Sequence, residues 1–102
     1  MIAYITIGSN DLPHAKAFYQ AILPPLGYDF SEGREGLSFV LPVPEGEQPS
    51  APDVYVKRPF DGAPATAGNG MMVAFQARTQ AEVRDLHGAA LAAGGQDDGA
   101  PG

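Results

Sequence analysis

The sequence predicts an α+β domain: one βαβββ module followed by the start of a second copy of it. Three observations predict this. Sliding the chain by 68 positions, with no gap, lays Tyr4-Ile5-Thr6-Ile7 over Met72-Val73-Ala74-Phe75. The helix-start candidates Asp11 and Thr79 then coincide, as do Phe18 with Leu86, Leu23 with Leu91 and Gly27 with Gly95. Between the two copies lie three short apolar runs bounded by glycine and proline, which read as strands.

The first strand covers residues 2–7, a β-branched and aromatic run ending at Gly8. Ala3, Ile5 and Ile7 share the face a helix would cover. Ile2, Tyr4 and Thr6 share the other, more polar face, which suits a cavity wall. Asp11 is placed to accept the free N–H groups of a first helical turn, and Pro13 is tolerated there because it lacks a donor that would go unused. Leu12, Ala15, Phe18, Tyr19, Ile22 and Leu23 then recur at helical spacing until Pro24-Pro25 stops the helix.

Residues 28–31 form a short strand candidate, 32–36 a charged glycine turn, and 37–41 a clear strand ended by Pro42. Residues 42–52 are an acidic, proline-rich loop expected to be exposed. A fourth strand, 54–57, completes a first module spanning 1–58. Residues 59–70 are a linker, and 71–102 hold the strand and helix of the second module. The fifth strand is expected over 71–77. Thr79 and Glu82 have the spacing of a capping box, in which each side chain satisfies a free N–H. Val83, Leu86, Ala90 and Leu91 form the second helix's apolar stripe, capped by Gly94-Gly95. A full second copy would need three more strands, roughly 25 residues. The repeat therefore looks truncated after its helix, as in a fragment or a chain lacking its tail.

The 102 residues suffice for one small domain with one core. A net charge of −6 argues against nucleic acid, which requires a basic face, and against an anionic membrane surface. There is no cysteine, so no disulfide, thiolate nucleophile or cysteine-based zinc site. That fits a reducing cytoplasm. Apolar runs are too short to span a bilayer, and no signal-peptide pattern opens the chain. His14 and His87 lie on separate helices without carboxylates at ligand or triad spacing.

The run Tyr4-Ile-Thr-Ile-Gly-Ser-Asn-Asp-Leu, then Ala17-Phe-Tyr, Leu26-Gly-Tyr, Met72-Val-Ala-Phe and Ala89-Ala-Leu-Ala-Ala-Gly-Gly resembles the vicinal oxygen chelate superfamily. That superfamily includes glyoxalase I, bleomycin-resistance proteins, fosfomycin-resistance transferases and extradiol dioxygenases. The resemblance spans essentially the whole chain, with Lys57-Arg-Pro-Phe-Asp-Gly and Gly68-Asn-Gly pointing to a bacterial glyoxalase-like branch. It implies two βαβββ modules curled into a cup, and chains that pair as a homodimer or by swapping modules.

It also implies a divalent metal held from the first strand of each module and by a Glu on the last strand. Here those strand positions fall on Tyr4 and Met72, and the fourth strand offers Val54, Tyr55 and Val56. The last Glu would lie beyond Gly102. A neutral phenol and a thioether are poor ligands for a hard or borderline cation, so the residues disfavour a metal. They suit the wall of an aromatic cup. The candidate substrate-binding set is therefore Tyr4, Phe39, Tyr55, Met72 and Lys57, with Lys57-Arg58 placed to hold a carboxylate.

The expected function is a metal-free, cofactor-free protein of the bleomycin-resistance kind that binds a small organic molecule. The resemblance leaves open a metal-dependent lyase, a glutathione-type transferase or a dioxygenase. A structural or regulatory dimer module without ligand is the third reading. No residue is assigned a catalytic role.

Overall fold

A computed structural model describes residues 1–66, 68–96 and 99. The order is β1 (Tyr4–Gly8), α1 (Leu12–Ile22), a 3-10 turn (Pro24–Leu26), β2 (Asp29–Glu32), β3 (Gly36–Val40), β4 (Asp53–Lys57) and α2 (Gln80–Ala92). The four strands form one sheet in the order β1-β4-β3-β2. β1 runs parallel to β4, while β4–β3 and β3–β2 are antiparallel. The first module is thus βαβββ, as its sequence predicts.

Local chemistry explains the boundaries. The His14 N–H donates to Asp11 Oδ1 at 3.1 Å, so Asp11 caps α1. The 3-10 turn begins at Pro24 because Pro24 and Pro25 cannot continue the helical ladder. Gly36 opens β3 with φ 150°, and a Cβ there would collide with the Val56 carbonyl oxygen. Only glycine lets the β2–β3 turn enter the sheet this close to β4.

The core lies between the sheet and α1. Alternation in β3 and β4 buries Leu37, Phe39, Val54 and Val56 on one face, where Ala15 and Leu23 of the helical segment meet them. Phe39 has no exposed surface and lies between Tyr19 and Phe30, with ring centroids 6.3 and 5.1 Å away. Lys16 reaches over the Phe30 ring and pairs with Glu32 at 2.7 Å, closing the β2 edge.

α2 packs against α1 rather than on a sheet, and none of its residues is buried. Contact is close where it ends: a Cβ on Gly94, whose φ is 103°, would lie 2.8 Å from His14 Nε2. At its start Arg78 grips the Glu82 carboxylate through Nη2 at 2.6 Å and donates to the Pro25 carbonyl at 3.2 Å. This ties α2 to the 3-10 turn. The capping box differs from expectation. The Glu82 N–H donates to Thr79 Oγ1 at 3.0 Å, but the Glu82 carboxylate takes the Arg78 N–H instead of that of Thr79. The Arg78 guanidinium draws the carboxylate one residue back, and it holds the Glu82 carboxyl below the usual carboxylate range.

The expected fifth strand is a correction. Residues 71–77 form no ladder, although Phe75 packs edge-on to Tyr28 at 6.2 Å. The reason lies in the pairing. β1 is held by β4, its parallel partner; among the described residues no strand follows α2 to do the same for 71–77. The free edge of β1 does not substitute, because a gap of about 680 Å³ lined by Ile5, Thr6, Met71 and Val73 separates the two.

Two substitutions test this account by urea denaturation. Leu23→Ala empties a fully buried site and is expected to cost about 2–5 kcal/mol. Gly36→Ala is expected to cost about 1–3 kcal/mol, although it adds apolar surface, because the backbone must leave its conformation.

Candidate functional site

The face of the sheet away from α1 carries its polar and hydroxyl side chains. Register places Tyr4 beside Asp53 and Thr6 beside Tyr55 on that face. Tyr55 is flanked on its other side by Ser38, and Ser38 by Ser31. A row of hydroxyl side chains, one per strand, therefore crosses the sheet in the order Thr6, Tyr55, Ser38, Ser31.

A concavity of about 480 Å³ opens over the Tyr55, Ser38 and Ser31 part of this row, lined also by Tyr4, Lys57 and the β2–β3 turn with Glu32 and Glu35. The Tyr4 and Tyr55 rings lie 5.3 Å apart, tilted by 48°. The Tyr55 hydroxyl donates to Asp53 Oδ2 at 2.9 Å. That bond, then partial desolvation, pushes the Tyr55 phenol above its ordinary value. Its proton is committed to Asp53, so toward a ligand Tyr55 presents an apolar ring and an accepting oxygen. Lys57 forms no salt bridge among the described residues.

The structure brings together three of the five residues chosen from the sequence: Tyr4, Tyr55 and Lys57. Phe39 is corrected to a core residue: it alternates with Ser38 in β3 and so points, with Leu37, at α1 on the opposite face. Met72 does not share the concavity either. It lines a separate cleft of about 810 Å³ with Ile5, Val54 and Tyr28, reached from the helix side of the sheet. Ser31, Ser38 and Asp53 were missed. The alternation Leu37-Ser38-Phe39 carries the signal, because it excludes Phe39 from any face that holds Ser38.

The metal implied by the resemblance does not fit these side chains. Tyr4 and Met72 open onto different clefts, and the Tyr4 concavity contains the Lys57 ammonium, which repels a divalent cation. Among the described residues no group of three or more His, Cys, Asp or Glu side chains has metal-ligand geometry. No helix among them is long and apolar enough to cross a membrane.

A solved structure with this arrangement is a glyoxalase/bleomycin resistance protein from Albidiferax ferrireducens, at TM-score 0.74 and 29% identity over 92% of this chain and 72% of that one. The chain has a glyoxalase-like, vicinal oxygen chelate fold. No family model and no curated protein matches it. Because the glyoxalase-like chain spans 72% of its neighbour, the likeness bears on the first module and on the strip and helix that follow. A shared fold leaves function to the site itself.

The tyrosines give a pH test. Burial raises Tyr19 and Tyr28, and the Asp53 bond raises Tyr55, all above the ordinary 10.0. Folding thus favours the neutral phenols. Their contribution is complete below the unfolded value and is lost as pH rises through the higher folded values. The melting temperature is expected to fall over that alkaline range. Asp53→Ala is expected to move one phenolate transition to lower pH in a spectrophotometric titration; an unchanged curve would contradict the bond.

Proposed function

We propose that the glyoxalase-like chain binds a small organic molecule with a flat unsaturated portion on the open face of its sheet, without a metal. The observation that carries this reading is the pairing of exposed Tyr4 with half-buried Tyr55 beside Lys57, next to the hydroxyls of Ser31 and Ser38. Aromatic walls with a few convergent polar groups are the usual make-up of a small-molecule site. The tilted rings offer a face and an edge to a planar group, Lys57 complements a carboxylate or other anionic oxygen, and Ser31 and Ser38 supply hydroxyls.

Sequestration is favoured over catalysis. The Tyr55 hydroxyl is committed to Asp53, and among the described residues no histidine lines the concavity to serve as a general base.

A thermal-shift screen with aromatic antibiotics, aromatic aldehydes and thiols, followed by calorimetric titration of the best hit, tests the proposal. Tyr4→Ala and Tyr55→Ala are each expected to weaken binding by roughly fivefold, from about 1 kcal/mol per aromatic contact. Lys57→Gln is expected to weaken only ligands bearing an anion. One stoichiometric divalent ion in purified protein would defeat the metal-free reading, and silence across the screen would defeat the binding role.

A further inference from the structure

The sequence holds two asparagines, Asn10 and Asn69, and both are exposed. Asparagine is thermolabile because the next residue's backbone nitrogen can attack its side-chain carbon. That attack needs both reacting groups free to meet. The fold treats the two asparagines in opposite ways.

Asn10 is locked. Its Nδ2 donates to the Ala65 carbonyl at 3.0 Å, and its Oδ1 accepts from the Ala65 N–H at 2.7 Å. The nitrogen that would attack it, that of Asp11, donates to Ser9 Oγ at 3.1 Å. The exposed Asp61-Gly62 pair, open to the same attack, is locked as well. Asp61 Oδ1 accepts from the Ala63 N–H at 2.9 Å, and the Gly62 N–H donates to the Pro59 carbonyl at 3.1 Å.

Asn69-Gly70 is free on both sides of the reaction. The pair forms the centre of a turn, closed by the Met71 N–H donating to the Gly68 carbonyl at 3.1 Å. Among the described residues neither the Asn69 amide nor the Gly70 N–H makes a hydrogen bond. The backbone does not require glycine here. Gly70 has no left-handed φ, and a Cβ built on it meets nothing within 4 Å. What the missing side chain does is leave the Gly70 nitrogen unshielded beside Asn69.

We infer that Asn69-Gly70 is a site of spontaneous covalent modification, at which Asn69 becomes aspartate and isoaspartate. Hydroxide takes the Gly70 N–H proton, and the nitrogen attacks Asn69 Cγ. A five-membered succinimide closes, the Cγ–Nδ2 bond breaks, and ammonia leaves carrying a proton from water. Water then opens the ring. Attack at Cγ gives aspartate; attack at the backbone carbonyl gives isoaspartate. Either product adds a negative charge at the entrance to the uncharged run 71–77, in a chain of net charge −6. Isoaspartate also lengthens the main chain by one carbon, so the Gly68–Met71 bond no longer closes a β-turn. The inference is independent of the ligand proposal, because neither Asn69 nor Gly70 lines the Tyr4 concavity.

The test ages the whole chain at mildly alkaline pH and maps its peptides by mass spectrometry. Isoaspartate in each peptide is counted by enzymatic methyl transfer. The peptide holding Asn69 is expected to gain one mass unit and to carry isoaspartate. The peptide holding Asn10 is expected to keep its mass, and the one holding Asp61 to gain no isoaspartate. Gly70→Ala has open space and an unstrained backbone, so it is expected to fold and to slow the conversion roughly tenfold or more. The same ageing in urea separates fold from sequence. Conversion of Asn69 in urea but not in the folded chain would overturn the inference, because the fold would then shield the site. Equal rates at Asn10 and Asn69 in the folded chain, or in Gly70→Ala and the parent chain, would also overturn it. Hydrogen exchange at the Met71 amide reads the consequence. It is expected to be faster in the aged protein than in freshly made Asn69→Asp, which carries the charge without the longer chain; equal exchange would refute the opening of the turn.

Discussion

β4 is the constraint on which the rest of the molecule depends. It is the strand with two neighbours that ties the ends of the module together, parallel to β1 and antiparallel to β3. The pleat forces its five residues to alternate. Val54 and Val56 therefore enter the core under α1, while Asp53, Tyr55 and Lys57 stand on the open face. Core and candidate site are two sides of one strand. A one-residue slip would exchange them, placing a charged pair in the core and two valines in the concavity. Gly36 holds that register from the neighbouring strand, because only a residue without Cβ fits against the Val56 carbonyl.

The same pairing rule explains why the two halves differ despite similar sequences. β1 becomes a strand because β4 satisfies its backbone and Leu23, Leu37 and Phe39 cover the sheet it belongs to. Residues 71–77 have the same alternation but no such partner among the described residues. α2 follows suit: with no sheet of its own to cover, it docks on α1 through Gly94 and is held at its start by Arg78 on the Pro25 carbonyl. Apolar alternation is a request for a neighbour, and secondary structure appears only where the request is met.

The open face is polar and aromatic without being reactive. Tyr55 donates its proton to Asp53, which raises its phenol above the ordinary value, and Lys57 lines the same concavity. The fold is one that elsewhere supports metal chemistry, yet here the side chains at the first-strand position and on β4 are those of a wall. The glyoxalase-like architecture thus carries a shape more surely than a reaction.

The sequence by itself determined the first module. Its cap at Asp11, its proline stop at Pro24 and its alternating strands were all legible, as was the Thr79 cap of the second helix, because each depends on neighbours a few residues away. It also named Tyr4, Tyr55 and Lys57, which share strand parity on β1 and β4 and line one concavity. Tertiary structure alone decided that Phe39 belongs to the core, that Met72 opens onto a different cleft from Tyr4, and that 71–77 pairs with nothing described. Strand parity says which residues share a face but not which face meets a helix, and a strand's existence rests on a partner supplied from far along the chain. These are long-range facts, and no local pattern contains them.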